Sequence, residues 1–172
     1  MGTNRRVESV SDLRLRPPTG DDVVWITDAC ADADIQRFTR VPAPYERRDA
    51  EVFVASAGGS LVVWAVVDAL SDAGVGMVAI HDVVDGVADA GYWVAPWARR
   101  RGVATWALRA LVVEAATEWG ATRVVLDIAT VNVASEGVAR AAGFVAIATP
   151  EDLSAPDGES DVPATRWVCE VG

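Results

Sequence analysis

A chain of 172 residues, 51% of them hydrophobic, is long enough to bury a sizeable core and too apolar to be a disordered segment. Its 15 basic residues, all arginine, stand against 25 acidic ones; the formal charge of −10 opposes nonspecific nucleic-acid binding and suits cationic substrates such as amines or basic peptides, though acidity also serves solubility alone. No apolar run reaches the roughly 20 residues that span a bilayer. Residues 1–11 lack the apolar centre of a signal peptide, so a cytoplasmic, membrane-free protein is the expectation.

Taken in order, residues 1–11 read as a flexible leader, with one domain over 12–172. Leu13-Arg14-Leu15-Arg16 alternates as a first strand and stops at Pro17-Pro18. Asp21 or Asp22 caps a helix through about Ala31. The pattern over 32–44 is irregular, and residues 45–57 read as a second helix with Glu46 in its first turn and Gly58-Gly59 after it. Three apolar runs of strand length follow at 61–67, 75–83 and 87–94, joined by Asp-Ala-Gly and Asp-Gly turns of the kind antiparallel hairpins use. The helix expected over 102–119 is apolar on most of its circumference, which predicts cover on both sides, and Gly120 stops it. Val124, Leu126 and Ile128 share one face of a strand. A short helix at 132–142 ends at Gly143, strands follow at 144–148 and 165–171, and an acidic loop at 151–161 lies between them.

The stretch 88–104 organises the rest. A strand through Val94 and a turn at Pro96 lead into Arg99-Arg100-Arg101-Gly102, where the long helix opens. Free first-turn N–H groups and the positive end of a helix dipole make such a junction a phosphate site, and the arginines steer an anion to it. No Gly-Lys-Ser/Thr follows and the three-glycine dinucleotide pattern is absent. Cys30 and Cys169 lie apart and away from the single histidine, His81, so no metal site is expected and both cysteines read as small apolar residues.

Arg99-Arg100-Arg101-Gly102-Val103-Ala104 fits Arg/Gln-x-x-Gly-x-Gly/Ala and resembles the acetyl-CoA pyrophosphate loop of the GNAT N-acetyltransferase superfamily. Asn132-Val133-Ala134-Ser135 followed by Ala142-Gly143-Phe144 is similar to that family's Asn-x-x-Ser … Gly-Phe segment. Leu13 to Pro17, Pro44-Tyr45 and Asp89-Ala90-Gly91-Tyr92-Trp93-Val94 resemble its ribosomal-protein alanine N-acetyltransferase-like (RimJ/RimL-like) branch. The resemblance covers nearly the whole chain. It implies an α/β (α+β) fold with a central mixed, mostly antiparallel twisted sheet. Six to seven strands and about four helices are expected, with a splay between the fourth and fifth strands.

It also implies acetyl-CoA as co-substrate and one direct acetyl transfer to a primary amine, either a protein N-terminus or a small molecule. The donor would be held by Trp93 and Val94, by Arg99, Arg100, Arg101, Gly102, Val103, Ala104 and Thr105, and by Asn132 and Ser135. Gly91 marks a candidate bulge that opens the splay. Asp89 stands where this branch often has Glu and is the first candidate general base; His81 and Asp127 are alternatives. Ser135 resembles the serine that serves the departing sulfur, while Asn132 is equally a good N-cap. Gly137 occurs where relatives usually carry a bulky apolar residue, at a cost of about 1 kcal/mol in helix stability; it would either widen the pocket or simply be tolerated. Trp25, Tyr45, Trp64 and Trp93 are acceptor-pocket candidates, although most of the seven tryptophans are expected in the core. A noncatalytic acyl-CoA-binding or interaction domain of the same fold is the alternative function, and a homodimer is compatible with either.

Overall fold

The structure is a computed structural model that describes residues 12–58, 62–148, 153 and 162–171. The expected leader and nearly all of the acidic loop at 151–161 lie outside the described residues. The elements are β1 (Leu13–Arg16), α1 (Val23–Cys30), α2 (Ala33–Phe38), α3 (Arg47–Ser56), β2 (Val62–Asp68), β3 (Gly74–Val84) and β4 (Val87–Val94). After these come α4 (Val103–Trp119), β5 (Arg123–Ala129), α5 (Val133–Ala142), β6 (Val145–Ala146) and β7 (Ala164–Glu170).

Seven strands form one sheet in the order β1-β2-β3-β4-β5-β7-β6. Only β4 and β5 run parallel; every other pair is antiparallel. Strand alternation sends Val63, Ala65, Val67 and Met77 to one face, under Ile26, Cys30, Ile35 and Ala50 of α1–α3. The other face carries Val66, Val78, Ile80, Val124, Leu126 and Ile128 against Leu108 and Leu111 of α4 and Ala139 of α5. The turn between β3 and β4 has Asp85 at φ 50° and Gly86 at φ 77°, a two-residue hairpin with both residues left-handed, as the Asp-Gly pair predicts.

Several expectations are corrected. The segment 32–44 contains α2, whose N-cap Asp32 accepts hydrogen bonds from the Asp34 and Ile35 N–H groups, both at 3.1 Å. A helix of six residues is too short to show a period in the sequence. The next helix starts at Arg47, because Glu46 is extended and serves as its N-cap. The long helix α4 buries one face (Val103, Ala107, Leu108, Leu111, Ala115) and leaves Val113 and Trp119 exposed, so it is not covered on both sides. The strand expected over 144–148 pairs only at Val145 and Ala146.

Asp22 ties β1 to α1. Its buried carboxylate accepts from both terminal nitrogens of Arg16 (2.6 and 2.8 Å), from the Thr19 N–H (2.7 Å) and from the Trp25 indole N–H (2.7 Å). Burial pushes its pKa up, but the Arg16, Trp25 and Thr19 hydrogen bonds outweigh that and hold it at about 2 instead of 3.8. Because the folded value is the depressed one, this stabilisation is present above pH 3.8 and is lost as pH falls toward about 2. Asp22→Ala leaves Arg16 and Trp25 without their acceptor. It should cost about 3 kcal/mol in urea unfolding at pH 7, with a much smaller difference from the parent near pH 2.

Candidate active site

The site is built where the sheet comes apart. β4 and β5 pair at three positions, Val87 with Arg123, Ala88 with Val124 and Asp89 with Val125, and then diverge. A cavity of about 820 Å³ occupies the parting. Residues from both faces of the sheet border it: Met77, Ala79 and Trp93 from the α1–α3 side, and Ala90, Tyr92 and Leu126 from the α4–α5 side. The segment from Phe38 to Phe53 closes it at one end, and Asn132 and Ser135 of α5 border it at the other.

Asp89 and His81 both face this cavity. The sequence marks Gly91 as the bulge, but the ladder slips on β3 instead, between Ile80 and Asp82, so His81 is the extra residue. Gly91 pairs regularly with Ala79. Its lack of a side chain serves another purpose: a Cβ there would lie 2.6 Å from His81 Nε2. The imidazole therefore lies across the bare backbone of β4, two residues from Asp89 on the same strand face.

The ring is open to solvent through the cavity, yet enough protein surrounds it for burial to push its pKa below the ordinary 6.5; the Asp89 charge opposes this and Arg40 adds to it. Burial raises the Asp89 carboxyl, with Asp127 adding to the rise and His81, Arg40 and Arg166 opposing it. His81 is thus neutral at pH 7, with a carboxylate nearby to favour the imidazolium when it forms. Asp127, the third candidate, is engaged by Arg166, which donates to both carboxylate oxygens (2.8 Å each).

At the other end of the cavity the Tyr92 hydroxyl is 2.7 Å from Ser135 Oγ, and Asn132 Oδ1 accepts the Ser135 N–H at 3.1 Å as the N-cap of α5. Burial pushes the Tyr92 phenol up to about 12, against the opposing Ser135 hydrogen bond, so it stays a proton-bearing donor. Tyr92 was missed in the sequence because it alternates away from Asp89, Gly91 and Trp93. A strand that loses its neighbour can present both faces to one space, and that parting is the signal that would have found it.

The basic loop lies beyond the cavity, where β4 leads into α4. Gly102, at φ 76°, is the N-cap and carries no side chain to satisfy the first-turn N–H groups of Val103, Ala104 and Thr105. Arg100 is exposed and left-handed at φ 63°. Arg99 is engaged elsewhere, donating to Asp32 with Asp34 close by, and so fastens the loop to α2.

Of the expected acceptor residues, Tyr45 and Trp93 line the cavity and Trp25 and Trp64 do not. The Trp25 indole N–H is spent on Asp22. Its ring lies beside Trp93 (5.8 Å between centroids) and over Gly74, where a Cβ would overlap it. Trp64 packs on the opposite face of the sheet, toward α4. Val94 also turns to that side. Gly137 is exposed on α5 with no heavy atom near its missing Cβ, so it widens no pocket. Cys30 is buried in the same cluster as Tyr45, and burial pushes its thiol up to about 12. Among the described residues no group of His, Cys, Asp and Glu could hold a metal ion, and no helix is long and apolar enough to cross a membrane.

A parted parallel pair, a side-chain-free helix N-terminus beside it, and a base pair and a hydroxyl pair within one cavity together suit acyl transfer between two ligands that meet through the sheet. The chain belongs to the GNAT acetyltransferase family: the profile of the Acetyltransferase (GNAT) domain matches residues 12–145. A comparison with curated proteins gives no match. Among solved structures, RimL, a ribosomal L7/L12 alpha-N-protein acetyltransferase in complex with coenzyme A, superposes with a TM-score of 0.79 at 17% identity, covering 94% of this chain and 95% of its own. Spermidine N-acetyltransferase from Vibrio cholerae, in complex with CoA and spermine, gives 0.76 at 18%, covering 93% and 96%. A GNAT-family acetyltransferase from Bacillus anthracis gives 0.75 at 17%, covering 91% and 92%. These likenesses are of fold.

As the only histidine, His81 gives a single imidazole signal by NMR. Its titration midpoint should lie below 6.5 in the parent. Gly91→Ala should push the ring off the strand and return the midpoint toward 6.5 while the thermal transition stays within a few degrees.

Proposed function

We propose that this enzyme transfers an acetyl group from acetyl-CoA directly to a primary amine. The observation that carries the reading is that the His81–Asp89 pair and the Tyr92–Ser135 pair border one through-sheet cavity beside the Gly102-capped helix. The residues present fit the donor. Gly102 lets a diphosphate approach the first-turn N–H groups of α4, with Arg100 and Arg101 at hand, and the β4 backbone beyond Asp89 offers a strand edge for the amides of the pantetheine arm. Acetyl-CoA, when bound, supplies a thioester carbonyl as the electrophile.

The protein's part is to hold the amine and handle two protons. His81, neutral at pH 7, accepts the proton the amine must lose, directly or through one water, and Asp89 stabilises the imidazolium. The amine lone pair forms the C–N bond as the C–S bond breaks. The Tyr92 hydroxyl, linked to Ser135, donates to the leaving sulfur, with the Asn132 cap holding Ser135 in place. Asp89 as the direct base is the alternative within the same pair, and its raised pKa suits that role.

Calorimetry with acetyl-CoA should give micromolar-range binding to the parent, and Gly102→Trp, which obstructs the loop and strains a left-handed position, should abolish it. Absence of heat from the folded parent would count against the reading. In a transfer assay that follows thiol release, His81→Ala and Asp89→Asn should each lower kcat by about 10²-fold with KM little changed. Because protonation removes the base, kcat should fall as pH drops through a midpoint below 6.5, and His81→Ala should abolish that limb. Loss of the limb in Asp89→Asn but not in His81→Ala would assign the base to Asp89.

A further inference from the structure

The loop that opens α4 is held by contacts from outside itself. Between β4 and α4, Arg100 is left-handed at φ 63° and Gly102 at φ 76°. A residue with a side chain is strained in that region and keeps the conformation only where its surroundings fix it. Upstream, the Ala95 N–H donates to the Val75 carbonyl (2.9 Å) and the Trp97 indole N–H to the Gly74 carbonyl (3.1 Å), which tie the start of the loop to β3. Downstream, the Gly102 carbonyl accepts the Trp106 N–H at 3.0 Å as the first bond of α4. Between these ties stands Arg99, extended and directly before Arg100, with its side chain turned to α2.

Both terminal nitrogens of Arg99 face carboxylates. One donates to Asp32 Oδ1; the other lies 3.4 Å from Asp32 Oδ2 and 3.5 Å from an oxygen of Asp34. The receiving end is fixed in turn. Asp32 caps α2 by accepting the Asp34 and Ile35 N–H groups, Ile35 is buried in the core, and the Gln36 amide donates to the Cys30 carbonyl at 2.9 Å. Burial pushes the Asp32 carboxyl up, but the Arg99 and Ile35 hydrogen bonds outweigh it and hold it below the ordinary 3.8, so it is ionised at pH 7. Were Arg99 to turn to a bound diphosphate, two carboxylates would stand unneutralised beside the loop that has to receive an anion. Left in place, it neutralises them and holds the backbone on either side of the strained residue.

We infer that Arg99 is a positioning residue of the donor site and not a diphosphate ligand: through Asp32 at the start of α2 it holds Arg100 to Gly102 in the conformation that presents the first-turn N–H groups of α4. This rests on the acetyl-CoA reading of the same site. Direct contact with the diphosphate falls to those N–H groups, Arg100 and Arg101.

Asp32→Asn separates the two roles of Asp32. An amide oxygen still accepts the Asp34 and Ile35 N–H groups, so α2 keeps its cap while the charge that holds Arg99 is removed. Calorimetry of acetyl-CoA on the full chain should show Kd raised about tenfold in Asp32→Asn and in Arg99→Ala, with the double variant no weaker than the weaker single one. The His81 titration midpoint is the second readout. Phe38, Thr39 and Arg40 lead from α2 into the cavity wall, and the Arg40 charge reaches His81, so a displaced α2 would move that midpoint. It should stay where it is in the parent. Asp32→Asn that binds acetyl-CoA as tightly as the parent, or more tightly, overturns the inference, because a freed Arg99 would then serve the diphosphate directly. Additive losses in the double variant overturn it as well, and so does a weakened Kd accompanied by a shifted His81 midpoint, which would mark a general role in holding α2. No heat from the folded parent counts against the donor reading itself.

Discussion

Two neighbouring strands in this sheet are each committed to a different partner. β4 is held along its whole length by β3, from Gly76–Val94 to Val84–Val87, and β5 along its whole length by β7, from Arg123–Glu170 to Ala129–Ala164. Their own contact is a short parallel ladder of three positions, the weaker kind of pairing, and it yields where the twist of the two halves carries them apart. The cavity, the free strand edge and the meeting of the two faces all follow from this. Backbone groups on the parted edges need partners, which makes the gap a place for a ligand with amides of its own.

Around that gap the protein arranges charge with little slack. The slip on β3 brings His81 over a position that only glycine can leave bare, and Asp89 stands two residues earlier on the facing strand. Burial moves the imidazole down and the carboxyl up, so the two values approach one another. Asp127 on β5 is paired with Arg166 of the neighbouring β7, which donates to both of its carboxylate oxygens. On the far side, Asn132 as cap orients Ser135, and Ser135 meets the Tyr92 phenol, so a local helix signal and half of the hydroxyl pair come from one turn of chain.

The aromatic residues divide by the same geometry. Trp25 and Trp93 touch, yet only Trp93 reaches the cavity, because Trp25 is drawn toward Asp22 by its indole N–H and seated on Gly74. Trp64 differs from the cavity-lining Val63 by one residue and therefore by one face of the sheet. Tyr45 reaches the wall from the segment before α3 and packs against the cluster that contains Cys30. The cavity wall thus depends on which side of a strand a residue falls and on short segments between elements.

Residues that act through local backbone chemistry were legible in the sequence alone: the Asp85-Gly86 hairpin, Gly102 opening α4, Gly120 and Gly143 closing helices, and Asn132 capping α5. Each depends on φ or on a hydrogen bond within a few residues, so a short window contains its whole cause. The order of elements along the chain and most of their boundaries followed from apolar runs and turn residues in the same way. Three features could not be read locally: the slip that places His81 over Gly91, the engagement of Arg99 by Asp32, and the pairing of Tyr92 with Ser135. Each joins residues 10 to 67 positions apart, and their encounter is decided by ladder register and by where two strands part, which are properties of the assembled sheet.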